Sequence, residues 1–161
     1  MEEDPMTDDG RATAGVIAPP PLIYAIPLLL GLLLKRRFPV PFLPRGAARV
    51  LGLPLLGGGV LLIGWFLRTM RSAETPIDPR EPVSRIVTGG PFRYTRNPAY
   101  LGMAMIFAGV SCLANALPAI LLLPVALLTI QRGVIEREER YLEREFGEEY
   151  LRFKAQTRRW V

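Results

Sequence analysis

From Asn97 to Gln131 the chain carries no charged side chain, and this run constrains the fold more than any other feature. As a single helix it would extend roughly 52 Å at 1.5 Å per residue, well past the hydrocarbon core of about 30 Å. It must therefore fold back. Asn115 and Pro118 mark the turn, since asparagine and proline both favour turn backbones over a continuing helix. The expected product is a tight helical hairpin with arms over residues 98–114 and 117–131, the second arm running on into the charged segment behind it.

Two more uncharged runs precede the hairpin. Gly15 to Leu34 is closed by Lys35-Arg36-Arg37; Pro19-Pro20-Pro21 starts its regular part, and Pro27 is placed to kink it. Lys35 to about Arg45 contains Pro39, Pro41 and Pro44 and is expected to be a loop. Val50 to Leu67 measures roughly 27 Å as a helix, close to one bilayer crossing, and its Gly57-Gly58-Gly59 and Gly64 would let another helix approach closely. Ahead of these runs, Met1 to Ala14 holds five acidic residues against Arg11 and is expected to be a disordered tail; it lacks the basic start of a signal peptide. The fold class expected is an all-α integral membrane protein with about four transmembrane helices and a cytoplasmic amphipathic C-terminal helix. Residues 15–68 then form two N-terminal transmembrane helices and residues 69–161 a functional core. Orientation follows from the cations: the tail, the Arg68 to Arg96 loop and the C-terminal segment hold 15 of the 20 Lys and Arg, which puts both termini in the cytoplasm.

Half of the 161 residues are apolar, as suits this reading. The net charge of +5 is spread along the flanks of the apolar blocks, so lipid headgroups fit it better than nucleic acid does. The chain has no histidine, which excludes a histidine base, a Ser-His-Asp triad and a histidine-ligated metal. Cys112 is the single cysteine, so neither an intrachain disulfide nor a thiolate metal cluster is possible, and no metal is expected.

Two polar stretches remain to carry chemistry. The loop from Arg68 to Arg96 is long and rich in proline, and a loop of that length in a compact domain is disordered or functional. It ends in Gly89-Gly90-Pro91-Phe92-Arg93-Tyr94-Thr95-Arg96-Asn97-Pro98-Ala99-Tyr100-Leu101-Gly102, where aromatic residues and arginines meet the first apolar arm as at a membrane surface. Further on, Ile135, Leu142, Phe146, Tyr150 and Phe153 recur at helical spacing within charged sequence, as one amphipathic helix or as two interrupted at Gly147. At about 100° per residue, Glu139 and Glu138 flank the apolar stripe on opposite sides. Carboxylates so placed are costly unless a positive group faces them.

The sequences GPFRYTRNPAYLG, EREERYLEREFGEEY and the closing RRW resemble the isoprenylcysteine carboxyl methyltransferase family and its bacterial relatives, which share features with phospholipid N-methyltransferases. The resemblance runs from about Pro76 to Val161. It implies a membrane-embedded methyltransferase that uses S-adenosylmethionine, with residues 69–161 as its core. Carried over by position, the cofactor contacts are Ser84, Arg85, Ile86 and Val87, then Phe92, then Asn97, Pro98, Ala99 and Tyr100, and Glu138. Glu139 and Arg132 are the catalytic candidates. Two positions depart from the eukaryotic enzymes: Asn97 stands where they have histidine, and Val134 where they have the arginine that holds the substrate carboxylate. Arg132, on the same helical face as Glu139, is the nearest substitute.

The expected reaction is methyl transfer to a lipophilic acceptor at the cytoplasmic membrane surface, a carboxylate of isoprenylcysteine type or a lipid amine. Membrane lipids are the expected partners and a bacterial inner membrane the expected location. Two other readings stand beside it: a membrane reductase of sterol-reductase type with a nicotinamide cofactor, and a non-enzymatic scaffold whose charged C-terminus binds anionic lipid.

Overall fold

The computed structural model describes residues 14–78, 81 and 83–161. Among them all regular structure is helical: α1 (Pro20–Arg37), α2 (Arg45–Ser72), α3 (Pro98–Leu113), α4 (Leu117–Ile130), α5 (Glu136–Phe146) and α6 (Glu148–Gln156). A short 3₁₀ turn covers Gly90–Arg93, and a π turn, Gln131–Ile135, joins α4 to α5 without a break. The tail expected to be disordered lies outside the described residues except for Ala14, which is buried.

Two of these helices are long and apolar enough to cross a membrane, Gly46–Ser72 and Leu117–Phe146. Of the four crossings expected, the other two rest on shorter apolar helices. α3 has 16 residues, roughly 24 Å, and α1 has 18 but ends in Lys35, Arg36 and Arg37.

The chain divides into two compact units. One comprises residues 19–63 and 99–130. In it α1 packs on α4, and Gly31 is required there because a β-carbon would stand 2.3 Å from the Ala119 Cα. α2 and α3 meet through paired glycines running antiparallel: a β-carbon on Gly59 would lie 2.7 Å from the Gly102 carbonyl oxygen, and one on Gly109 would lie 2.6 Å from the Leu56 nitrogen and 2.9 Å from the Gly52 carbonyl oxygen. The close approach expected at Gly57 and Gly64 does not occur, for both face open space. A residue spacing of seven, Gly52 to Gly59 and Gly102 to Gly109, keeps the small residues on one helix face, whereas Gly57 and Gly64 share a different one.

The hairpin turn falls where the sequence places it. Asn115 adopts a left-handed φ of 48°, which asparagine tolerates better than most residues. Its Oδ1 accepts the Phe42 and Leu43 amides at 2.9 and 3.0 Å, and its Nδ2 donates to the Leu43 carbonyl at 2.7 Å, so the turn also holds the proline-rich loop. Lys35 donates to the Ala114 carbonyl beside it. The Tyr24 hydroxyl donates to the Tyr100 carbonyl at 3.1 Å, a buried bond.

The second unit comprises residues 14–18, 64–98 and 131–161 as described. Its core holds Phe66, Met70, Val134, Ile135, Tyr141, Tyr150 and Phe153. Gly147, at φ 49°, ends α5 and starts α6, so the C-terminal amphipathic segment is two helices. Residues 15–17 lie along the π turn: the Ile17 amide donates to the Gly133 carbonyl at 3.2 Å, Arg137 donates to the Gly15 carbonyl at 3.0 Å, and the Ile17 side chain fills the space a β-carbon on Gly133 would need.

Candidate functional site

The candidate site residues other than Ala99 and Tyr100 fall in this second unit, and α5 makes side-chain contacts to segments beside them. Two side chains on it reach the long loop. The Tyr141 hydroxyl accepts the Val83 amide at 3.2 Å, next to the segment Ser84 to Val87. Ser84 and Arg85 are exposed, Ile86 and Val87 half-buried, and the Ser84 hydroxyl lies 3.4 Å from that of Thr75.

The second side chain is Glu139, buried at the centre of an ion cluster. Its Oε1 accepts Arg96 Nη2 at 2.8 Å and Arg159 Nε at 3.0 Å, and its Oε2 accepts Arg159 Nη2 at 2.6 Å. The side chains of Arg96 and Glu139 are 9% and 8% exposed and that of Arg159 is 32% exposed, so the pair with Arg96 is the desolvated one. Glu139 lies on α5, beyond the apolar α4, which ends at Ile130. Burial by itself would raise its carboxyl; the hydrogen bonds and charges of Arg159 and Arg96 outweigh that and hold it below the usual range. A carboxylate with both oxygens engaged by guanidinium groups is a weak proton acceptor.

Arg132 is not part of this cluster. The expectation that it shares a face with Glu139 assumes an unbroken α-helix, and the π turn between them inserts about one extra residue, turning the later residues by about 100°. Arg132 is exposed, whereas Val134 is fully buried. The arginines that neutralise Glu139 come instead from the loop before α3 and from the C-terminus. Arg96 sits beside the family motif and Arg159 inside the closing RRW, so both lie in the stretches that carry the resemblance. Helical periodicity could not find either.

Asn97 is buried, and its Nδ2 donates to the Arg159 carbonyl at 2.9 Å. The neighbouring Thr95 hydroxyl donates to the same carbonyl at 3.1 Å and accepts the Asn97 amide at 3.2 Å. Arg96 Nη1 caps the end of α6 by donating to the Lys154 and Thr157 carbonyls at 3.0 and 2.8 Å. Arg96 Nε is a buried donor with no protein acceptor. Glu138 is half-buried on the same turn as Glu139.

Phe92 packs on Phe66 of α2 with ring centroids 5.9 Å apart, and Tyr94 lies 6.1 Å from Trp65. The 3₁₀ turn is thereby stapled to α2, and Gly90 at φ 59° allows the contact because a β-carbon would strike the Thr69 hydroxyl. Tyr94, Trp65 and Arg93 stay exposed. Pro98, fully buried, is the first residue of α3. Ala99 and Tyr100 belong to the other unit, where Ala99 is half-buried and Tyr100 buried. Among the described residues no group of histidine, cysteine or carboxylate side chains could hold a metal ion.

A family model described as phospholipid methyltransferase matches residues 47–149, more than half of the chain, from the start of α2 into α6. An uncharacterized protein of Haemophilus influenzae is 43% identical over 63 residues, which cover 38% of this chain and 98% of that protein. No solved structure matches. Together with two helices able to cross a bilayer, the matched stretch, which includes the aromatic turn, Asn97, Glu138 and Glu139, points to membrane association, and the chain belongs to the phospholipid methyltransferase family.

Proposed function

We propose that this protein is an S-adenosylmethionine-dependent methyltransferase that modifies a lipophilic acceptor at the cytoplasmic membrane surface. The observation that carries the reading is the family match across residues 47–149. The donor set fits the cofactor. Arg96 Nε–H is a buried donor lacking a protein acceptor, and the cofactor's amino-acid carboxylate is an acceptor of the right charge. The half-buried Glu138 offers the negative charge that suits its sulfonium. The bound cofactor supplies an electrophilic methyl group.

The chain's own residues would do the rest by positioning. Ser84 to Val87, held near α5 through Val83 and Tyr141, together with Phe92, Asn97 and Pro98, would hold the cofactor; Arg96 would act beside Asn97. The acceptor we favour is a lipid amine. An isoprenylcysteine carboxylate calls for the cation that is replaced here by buried Val134, and the exposed Arg132 is not among the partners of Glu139. An ammonium must lose a proton before its nitrogen can attack; Glu138 and Glu139 are the candidate bases, and the two arginines on Glu139 make it a weak one.

The direct test supplies methyl-labelled S-adenosylmethionine, vesicles containing phosphatidylethanolamine and a prenylcysteine analogue to the protein in mild detergent. Label in the lipid headgroup is the expected result; label in a prenylcysteine analogue alone would shift the acceptor to a carboxylate. Absence of saturable cofactor binding in calorimetry would overturn the enzyme reading. Glu138→Gln should abolish most of the thermal stabilisation that added cofactor gives, while Glu145→Gln, an exposed carboxylate on the same helix, should not.

A further inference from the structure

We infer that residues Thr157–Arg159 form a C-terminal clasp that sets the position of Asn97, with Arg159 as a positioning residue anchored on Glu139. The inference rests on the reading of Asn97 as a cofactor contact. Three consecutive residues of the loop are bonded to three consecutive residues of the C-terminus. Thr95 Oγ1 and Asn97 Nδ2 both donate to the Arg159 carbonyl, the Arg96 amide donates to the Arg158 carbonyl at 2.9 Å, and Arg96 Nη1 donates to the Thr157 carbonyl. This segment is tied down by the two-pronged bond from Arg159 to Glu139 and by a second, long hydrogen bond of 3.4 Å from Trp160 Nε1 to Gln131 Oε1.

This arrangement assigns Glu139 a job different from proton transfer. Both its oxygens receive guanidinium hydrogens, one guanidinium from each side of the clasp, so it acts on Asn97 through Arg159 and Arg96 and not on a substrate. The Asn97 amide has two hydrogens; fixing one on the Arg159 carbonyl orients the other. Arg159 is a suitable place to probe the clasp because its side chain is one-third exposed while its carbonyl does the holding.

The experiment compares Arg159→Gln, Arg159→Lys and, as control, Arg152→Gln on α6, whose side chain is exposed. Cofactor affinity is measured by calorimetry well below each variant's melting temperature, and exchange of the Arg96 backbone amide by hydrogen–deuterium exchange. In the unmodified protein that amide should be protected. Arg159→Gln should speed its exchange and weaken S-adenosylmethionine binding, each by about tenfold or more, as expected for loss of a charged hydrogen bond. Arg159→Lys should recover part of both, and Arg152→Gln should change neither. An Arg159→Gln protein that melts lower but keeps full cofactor affinity would overturn the positioning role. Rapid exchange of the Arg96 amide in the unmodified protein would overturn the clasp, even if the variants fail to fold. If the unmodified protein binds no S-adenosylmethionine while Arg96 protection still depends on Arg159, the clasp stands and the cofactor reading falls.

Discussion

Arg159 approaches Glu139 with two nitrogens, Nε 3.0 Å from Oε1 and Nη2 2.6 Å from Oε2, a fork-to-fork pair across 20 residues of sequence. Glu139 also takes Arg96, so one buried carboxylate is shared by two guanidinium groups, one from before it in the sequence and one from after it.

The cost of breaking such a pair depends on which partner remains. Arg96→Met should destabilise the protein by about 3 kcal/mol, the low end for a broken buried pair, because Arg159 still neutralises Glu139. Glu139→Met strands a buried Arg96 and should cost more. Chemical denaturation in detergent measures both; equal, negligible losses would show that solvent already reaches the cluster.

Acid should weaken the same cluster. The Glu139 carboxyl sits below its ordinary value of 4.5 in the folded state, so its contribution is complete above that ordinary value and is lost as the pH falls through the folded one. Between about pH 5 and the acid limit the melting temperature of the unmodified protein should therefore fall more steeply than that of Glu139→Gln. Parallel curves for the two proteins would contradict the assignment.

The glycine seam of α2 and α3 gives a packing prediction with built-in controls. Gly59→Ala and Gly109→Ala place a methyl group against helix backbone that cannot turn aside, and each should cost about 1 to 3 kcal/mol. Gly57→Ala and Gly64→Ala face open space and should stabilise the helix by up to about 1 kcal/mol. Melting temperatures of the four variants should split into these two groups; a common sign for all four would refute the seam.

Orientation can be read with reporters. A fusion after Val161 should report a cytoplasmic C-terminus and an insertion near Pro41 an external loop, given 15 basic residues on one side and five on the other. An external C-terminus would remove the four-span topology and the cytoplasmic placement of the site.

Much of this was legible in the residues because it is governed by local chemistry. The helical class follows from charge-free runs in which every backbone group must be satisfied within its own segment. The turn at Asn115, the start of α3 at Pro98 and the break at Gly147 follow from backbone preferences that residues carry with them. The face of a helix is a different matter, since it depends on an unbroken phase. One π turn at Gln131–Ile135 was enough to turn Arg132 outward and detach it from Glu139. Which glycines meet depends on where two helices cross, so Gly59 and Gly109 lie in a seam that Gly57 and Gly64 do not reach. Arg96 and Arg159 lie 43 and 20 residues from Glu139, and no spacing rule links them. Only the tertiary structure could choose those two arginines, because a buried carboxylate takes whichever cations the fold brings within hydrogen-bond reach, wherever they lie in the chain.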